Sequence, residues 1–228
     1  MSAIAYVNGQ FVPQDQATIS IMDRGFLFAD GIYEVSAVLD GKLVDNGLHM
    51  ARLERSVREI DLPLPLPTAE ISELMRELVT RNRLQEGLVY LQVTRGADAT
   101  RSFPFPAEVK PTLVMFVDRF DFLASPKAQT GIKVKTVEDI RWARRDIKSV
   151  ALLAQVLAKQ AAAAEGCQEA WMHEEGIVTE GGSSTAYIVK GEGASARIVT
   201  RENSRKILPG CTRKALLDLV HETGIEIE

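Results

Sequence analysis

The stretch that most constrains the fold is residues 138–190, because it carries a helical pattern, two strands and a small-residue run in close succession. The helical pattern begins at Ser149, after which apolar residues recur at the spacing of one helix face: Leu152, Leu153, Val156, Leu157 and Ala161. This periodicity predicts a helix over 149–165. Lys148 then lies at the first turn of that helix, where the backbone dipole is positive.

A lysine in that position is expected to lose part of its preference for the charged form. The helix dipole disfavours a cation, and Arg144 and Arg145 just upstream add like charge. A neutral lysine amine is a nucleophile toward carbonyl carbons. Most lysines are exposed and solvated, however, so Lys148 by itself does not indicate a reactive site.

Further polar groups follow the helix. The next segment reads as two short strands around a Glu-Glu-Gly turn, and Glu180 then opens the small-residue run 181–185, which offers backbone N–H groups to an anion. Residues 208–213 lead into a helix at about 212–223, whose free N–H groups form a second anion site with the Thr212 hydroxyl at its mouth. One amine, one carboxylate and two such N–H clusters suggest a phosphorylated carbonyl cofactor.

Strand and helix patterns alternate in the first half of the chain. Asn8-Gly9 supplies the positive φ angles of a tight hairpin turn, and strand patterns follow at residues 31–39, 88–95 and 112–117. Apolar residues at helical spacing predict two helices in between. The first is ended by the proline-rich residues 63–67, and the second begins at Thr68, a plausible N-cap.

Residues 120–131 have the composition of an interdomain linker, with a Ser-Pro pair and few periodic apolar residues. We therefore expect an α+β protein in two domains: a small N-terminal α/β domain over 1–119 and a β-rich domain over 132–228. A cofactor is expected in the cleft between them, because the candidate residues are divided between the two domains.

Charge and cysteine content narrow the class of protein. The formal net charge is −4 and the pI is about 5.6, so no general basic surface is expected for nucleic acid. No apolar run is long enough to span a bilayer, so no membrane partner is expected. Cys167 and Cys211 show no disulfide-framework spacing, and the N-terminus lacks a secretion signal pattern, which predicts a cytoplasmic protein with reduced thiols.

Several ordered segments together resemble the D-amino-acid aminotransferase branch of the fold-type-IV pyridoxal-phosphate enzymes. The likeness runs from about Tyr6 to the last residue, and a series of ordered blocks is more specific than any one motif. The segments are DRGFLFADGIYEV (23–35), VTRG (93–96), VEDIRWARRDIKS (137–149), AKQAAAAEGC (158–167), VTEGGSS (178–184) and ILPGCTR (207–213).

The resemblance implies pyridoxal 5'-phosphate as the cofactor, bound as an imine (Schiff base) by Lys148. It further implies that Glu180 keeps the pyridine nitrogen protonated and that Leu208 packs on a face of the ring. The other cofactor-binding residues that it implies surround the phosphate: Arg52, Ser183, Ser184, Cys211 and Thr212.

The same resemblance implies a homodimer and a substrate site formed by Tyr33, His49 and Arg101. In the family, the loop at 97–106 lends its arginine across the dimer interface to the substrate carboxylate. Family members carry a histidine two positions after that arginine, whereas this chain has Phe103 and a loop one residue longer. This departure bears on the substrate range.

The function implied is transamination of a D-amino acid, such as D-alanine, with a 2-oxo acid, such as 2-oxoglutarate. A branched-chain aminotransferase or an aminodeoxychorismate lyase of the same two-domain fold would use the same lysine and glutamate. A cofactor-binding protein without turnover is the alternative from another class. Family members continue past the helix at 212–223 with further strands, so the C-terminal part of the family fold is expected to be missing here.

Overall fold

The structure, a computed structural model, describes residues 2–193, 196–223 and 225–228. The chain divides into two compact units. The first comprises Met1–Ser125 with Lys148–Ala151, and the second comprises Pro126–Ile147 with Leu152–Glu228. The predicted domain limits stay a prediction, but Lys148 was expected in the second domain and here it clusters with the first unit.

The first unit is built on one antiparallel sheet. Its helices and strands are β1 (Ile4–Val7), β2 (Gln10–Pro13), α1 (Arg24–Phe28), β3 (Gly31–Leu39), β4 (Lys42–Leu43), α2 (Asn46–Arg58), α3 (Thr68–Arg81), β5 (Gly87–Thr94) and β6 (Thr112–Arg119). Within residues 2–125, the six strands lie in the order β2-β1-β6-β5-β3-β4. Asn8 and Gly9 join the first two strands with φ angles of 46° and 98°, which confirms the predicted hairpin.

The core of this unit lies on one face of the sheet. Along β3 the alternate residues Ile32, Glu34, Ser36 and Val38 are buried, whereas the face that carries Tyr33 is half-buried. Helix α2 packs on β3, and α3 packs beside α2. The helices bury their periodic apolar residues against this face: Met50, Leu53, Val57, Ile71, Met75 and Leu78.

The second unit contains two small sheets. Its helices and strands are α4 (Lys127–Thr130), β7 (Val134–Glu138), α5 (Leu153–Ala164), β8 (Glu169–Glu174), β9 (Ile177–Gly181), β10 (Ile188–Lys190), β11 (Arg197–Val199), α6 (Cys211–Thr223) and β12 (Glu226–Ile227). In the described residues the sheets have the orders β7-β8-β9 and β10-β11-β12. The β8–β9 turn, with φ angles of 50° and 80° at Glu175 and Gly176, confirms the predicted Glu-Glu-Gly turn.

The start of α5 and its buried face differ from the sequence prediction. The helix begins at Leu153 rather than at 149, because Ser149 and Val150 pair with the beginning of β3 instead of entering the helix. Its buried residues are Ala158 and Ala162, which pack with Met172 and other small or apolar neighbours of the β7–β9 sheet. Three large residues of the predicted stripe are exposed instead: Leu153 (71%), Val156 (58%) and Leu157 (51%).

We find no helix with the length and apolar character needed to cross a lipid bilayer in the part of the chain that the structure describes.

Candidate active site

Lys148 lies in a segment that extends the sheet of the first unit. In the described part of the chain, β4 and Val44 pair with the end of β3, from Ala37 to Leu39, and β4 leaves the beginning of this edge open. The segment around Lys148 fills this edge: the Tyr33 N–H donates to the Lys148 carbonyl over 3.0 Å, and Val150 donates to Gly31 over 3.0 Å. Lys148 is therefore fixed by sheet pairing, and the predicted position at a helix start is wrong.

The side chain of Lys148 is half-buried and lies over an aromatic ring. Its Nζ is 4.2 Å from the centroid of the Tyr33 ring, which is cation–π distance. Tyr33 stacks on Tyr90 at 5.6 Å, and Tyr90 stacks on Phe116 at 4.8 Å along the same sheet face. Burial raises the pKa of Tyr90 to about 12, and the charge of Tyr33 adds to the shift. The amine of Lys148 therefore packs on a ring that two further stacked rings support.

Glu34, on the opposite face of β3 from Tyr33, organises two of the predicted site residues. Arg52 donates from Nε and Nη2 to the two carboxylate oxygens over 2.8 and 2.7 Å, and His49 Nδ1 lies 2.8 Å from Oε2. Burial alone would raise the pKa of Glu34, but the hydrogen bonds from Arg52 and His49 and the charges of Arg52 and Lys148 hold it below its ordinary value. The carboxylate is thus ionised and fixes the guanidinium in one orientation.

Arg52 was predicted to bind phosphate, and its buried position is compatible with that role but does not test it. Arginines on an amphipathic helix are usually solvated, whereas Arg52 is only 8% exposed. A bidentate arginine–carboxylate pair leaves the outer edge of the guanidinium directed away from the carboxylate. Sequence analysis missed Glu34; the signal for it was a charged residue at a core-facing position of a strand.

In the second unit, Glu180 is buried at the end of β9 and is held by two donors. Arg141 Nη1 donates to Oε1, and the Leu208 N–H donates to both oxygens over 3.1 and 3.2 Å. Burial raises the pKa of Glu180, while the Arg141 charge and these hydrogen bonds act against the rise. Glu180 and Leu208, two predicted cofactor residues, are therefore brought together.

Arg141 is itself fixed by a second buried carboxylate. Its Nε and Nη2 donate to Asp139 over 2.9 and 2.7 Å, and the Thr179 hydroxyl donates to Asp139 over 2.6 Å. Burial opposes ionisation of Asp139, but Arg141 and Thr179 keep its pKa below the ordinary value. Sequence analysis assigned no role to Arg141 or Asp139, because charged residues two positions apart at the end of a strand are usually solvated.

The hydroxyls of Ser183 and Ser184 form hydrogen bonds with the carboxylate of Glu169 in β8. Ser183 donates over 3.2 Å and Ser184 over 3.0 Å to one carboxylate oxygen, while Lys159 pairs with the other at 3.0 Å. Burial would raise the pKa of Glu169, but the Ala170 N–H, Lys159 and Ser184 lower it overall. Both serines are exposed, so the predicted phosphate contact requires their backbone N–H groups or a rotation of the hydroxyls.

The last predicted cofactor residues begin α6. Cys211 is buried as the first residue of the helix, and Thr212 beside it is exposed. A helix of this length presents free N–H groups and a partial positive charge at its start. Thr212 thus lies in the first turn of α6, where an anion site was predicted.

Arg101 lies in the loop between β5 and β6. The residue is exposed, and its guanidinium carbon is 4.9 Å from the Phe28 ring centroid and 5.5 Å from that of Phe103. Phe103, which occupies the position of the family's histidine, thus contacts Arg101 through its ring.

Each unit, taken by itself, offers groups that fit a part of pyridoxal phosphate. The first unit offers a half-buried primary amine over an aromatic ring and a buried guanidinium held by a carboxylate. The second offers the buried carboxylate of Glu180, which Arg141 and the Leu208 N–H help to keep ionised, and a protonated ring nitrogen requires an ionised acceptor. Thr212 adds a helix N-terminus suited to phosphate.

Comparison with known proteins agrees with this chemistry. The model of the family described as amino-transferase class IV matches residues 31–228. The D-alanine aminotransferase of Staphylococcus haemolyticus is 43% identical over 212 residues, which cover 92% of this chain and 73% of that protein.

Solved structures show the same fold. The branched-chain aminotransferase of the archaeon Thermoproteus uzoniensis, solved with norvaline, superposes with a TM-score of 0.86 at 22% identity, covering 100% of this chain and 77% of that one. A 4-amino-4-deoxychorismate lyase from Pseudomonas aeruginosa gives a TM-score of 0.80 at 26% identity, covering 98% and 80%. The predicted two-domain, fold-type-IV architecture is confirmed by such neighbours.

Proposed function

This chain belongs to the amino-transferase class IV family, and on that premise we propose that it transfers the amino group of a D-amino acid, such as D-alanine, to a 2-oxo acid, such as 2-oxoglutarate. Pyridoxal phosphate, the predicted cofactor, follows from the family. The structural observation that carries the proposal is Lys148, whose amine is fixed over the Tyr33 ring by the pairing of its own backbone with β3.

When bound, pyridoxal phosphate supplies an electrophilic carbon and an electron sink for the negative charge that develops at the substrate Cα. Lys148 is the residue proposed to bind that carbon and then to move a proton at Cα. A rigid sheet segment is suited to this task because proton transfer requires the amine to keep its distance and angle.

Glu180 is proposed to hold the proton of the ring nitrogen. An ionised carboxylate is needed for this, and burial opposes ionisation by raising the pKa of Glu180. Arg141 and the Leu208 N–H oppose that effect, since each stabilises the charged form of Glu180. The electron-accepting capacity of the ring therefore depends on Arg141 as well as on Glu180.

The phosphate is proposed to be held by Arg52, by the N-terminus of α6 at Cys211 and Thr212, and by Ser183 and Ser184. Glu34 supports this arrangement by fixing the Arg52 fork, which suits phosphate oxygens. Leu208 is proposed to pack on the ring.

The substrate side is proposed to be completed by a second copy of the chain. Tyr33 and His49 belong to the subunit's own site in this proposal, and Arg101 comes from the loop of the neighbour. Support comes from exposed apolar side chains on this loop, since Phe103 is 73% and Phe105 is 55% exposed. The exposed apolar residues of α5 are equally suited to an interface.

We also propose a cytoplasmic location, supported by the two cysteines, Cys167 and Cys211, neither of which is in a disulfide.

A comparison of amino donors tests the reaction. The purified protein, saturated with pyridoxal phosphate, is mixed with D-alanine and 2-oxoglutarate, and pyruvate is measured. L-leucine with 2-oxoglutarate and aminodeoxychorismate alone are run in parallel. Turnover of D-alanine well above L-leucine supports the proposal. A preference for L-leucine, cleavage of aminodeoxychorismate, or cofactor binding without any turnover contradicts it and selects the corresponding alternative.

Mixed subunits test the shared site. Arg101→Ala and Lys148→Ala proteins are mixed under conditions of verified subunit exchange. If the loop serves the neighbour, one site of each heterodimer has both an intact lysine and an intact arginine, and activity is recovered. Inactive heterodimers mean that Arg101 acts in its own subunit, and an Arg101→Ala protein that is already active before mixing means that Arg101 does not act at all.

A further inference from the structure

The loop at 97–106 is held by a buried arginine that no part of the proposed chemistry uses. Arg24, in the first turn of α1, is 3% exposed. Its Nη1 donates to the Ser102 carbonyl over 2.6 Å and to the Pro104 carbonyl over 3.4 Å, and its Nη2 donates to the Phe103 carbonyl over 3.0 Å. One guanidinium thus binds three successive backbone carbonyls.

Asp30 anchors this arginine. Its Oδ2 accepts Arg24 Nε over 2.8 Å and also Arg95 Nε over 2.8 Å. Arg95 is 1% exposed and donates to the carbonyls of Ile60 and Asp61, so the shared carboxylate is fixed to the body of the first unit. Charge-assisted hydrogen bonds in such a buried site are among the strong ones. The planar fork of Arg24 therefore has one orientation.

The two ends of the loop are also fastened. The Arg24 N–H donates to the Gly96 carbonyl over 2.8 Å at the start of the loop. Near its end, the Arg95 guanidinium carbon lies 3.6 Å from the Phe105 ring centroid. Although its aromatic side chains are exposed, the loop is held at its start, at residues 102–104 and at the Phe105 ring.

Arg24 and the three carbonyls that it binds, called the clamp below, also lie beside the rings that contact Arg101. Phe28, in the same helix as Arg24, lies 5.2 Å from Phe103 between ring centroids, and the Arg101 guanidinium lies over both rings. Each cation–π contact at an exposed site is worth little, but two rings fixed by one clamp restrict the rotamers of the arginine.

We propose that Arg24 is a positioning residue, which binds the carbonyls of Ser102, Phe103 and Pro104 so that Phe28 and Phe103 present Arg101 in one orientation to a carboxylate. This inference rests on the proposed role of Arg101 in donor binding. In this chain Phe103 then serves as an orienting ring. The consequence is a selectivity for carboxylate-bearing donors that depends on a residue which does not touch the donor.

Hydrogen–deuterium exchange of the cofactor-free protein tests the clamp without using turnover. In Arg24→Met, amides of the peptide at 97–110 should exchange roughly tenfold faster or more, because local opening no longer breaks charge-assisted hydrogen bonds. Arg76→Met, which removes an exposed ion pair with Glu73 on α3, is the matched control and should exchange like wild type. Unchanged loop exchange in a folded Arg24 variant overturns the proposal.

Donor kinetics test the positioning role. For D-alanine, kcat/KM of Arg24→Met should fall roughly tenfold through KM, while D-alaninol, which has the same amine and no carboxylate, changes by about twofold or less. In an Arg101→Ala background, Arg24→Met should cause no further loss for D-alanine, because its effect acts through Arg101. Equal losses for both donors, or additive losses in the double variant, contradict the positioning role.

A second set of variants covers a failure of Arg24→Met to fold. Arg24→Lys keeps the positive charge but removes the planar guanidinium that binds the loop carbonyls. Phe28→Leu keeps Arg24 and its hydrogen bonds but removes one of the two rings beside Arg101. Arg24→Lys should loosen the loop, and both should lower the preference for D-alanine over D-alaninol. If the wild-type protein does not use D-alanine at all, the proposed function is wrong. Hydrogen–deuterium exchange of the loop at 97–106 still shows, in that case, whether Arg24 holds the loop.

Discussion

Replacing Arg141 by methionine should destabilise the second unit in a manner that depends on pH. The side chain of Arg141 is 6% exposed and lies between two carboxylates, Asp139 at 0% and Glu180 at 7% exposure. Methionine has a similar length and no charge, so the variant keeps the packing of the stem but leaves both carboxylates in a site with little water. Removing one partner of a buried ion pair costs about 3–5 kcal/mol.

The sign of the pH dependence follows from the pKa shifts. In wild type, Asp139 has a lowered pKa, so its contribution to stability is present above the unfolded pKa of about 4 and is lost as pH falls. Without Arg141, burial dominates and raises the pKa of Asp139 and raises that of Glu180 further. A carboxyl group whose pKa is raised by folding stabilises the folded state below its unfolded pKa, and this contribution is lost as pH rises. The loss in free energy of unfolding of Arg141→Met relative to wild type should therefore be largest near pH 8 and become smaller toward pH 4.

Urea unfolding followed by tryptophan fluorescence is the assay, because Trp142 and Trp171 are the two tryptophans of the chain and both belong to the second unit. Lys214→Met, which removes an exposed ion pair with Asp218 on α6, should resemble wild type at every pH. A deficit of Arg141→Met that stays below about 1 kcal/mol at pH 8, or that does not change with pH, refutes the reasoning.

Three further predictions concern the site and its loop. Glu180→Gln should retain the cofactor but lower kcat by about 10²-fold or more, since the lost charge acts in the transition state; a change in KM alone contradicts this role. Arg52→Ala should raise the Kd for pyridoxal phosphate by roughly tenfold or more and leave Glu34 buried without its guanidinium, as measured by fluorescence titration and thermal unfolding; an unchanged Kd removes Arg52 from the phosphate site. Gly96→Ala should destabilise the first unit by at least about 1 kcal/mol, because φ is +82° and a Cβ would lie 1.9 Å from the Lys110 carbonyl oxygen; thermal unfolding like that of wild type is the contrary result.

The features that sequence predicted best are those set by local chemistry. The Asn8-Gly9 hairpin needs only residues that accept positive φ, and β3 needs only its alternating pattern. The start of α5 was missed because residues near Lys148 pair with the open edge of β3, which is distant in sequence. A non-local hydrogen-bond partner outweighed the local helical pattern.

Periodicity also left open which face of α5 is covered. The pattern of leucines and valines identified a helix, yet the sheet of the second unit packs on the small residues Ala158 and Ala162. The buried carboxylates were a different kind of miss. Arg52 and His49 stabilise the buried Glu34, and Arg141 and Thr179 stabilise the buried Asp139, and such pairing is not visible from sequence spacing.

Mapping the lysine that binds the cofactor is the direct test of Lys148 as the Schiff-base residue. The cofactor-saturated protein is reduced with sodium borohydride, digested, and searched by mass spectrometry for pyridoxyl-lysine. We expect the label on Lys148 alone, and the Lys148→Ala protein should be folded but unlabelled. A label on another lysine, such as Lys159 or Lys206, or no label in a protein that retains its cofactor, would contradict this expectation.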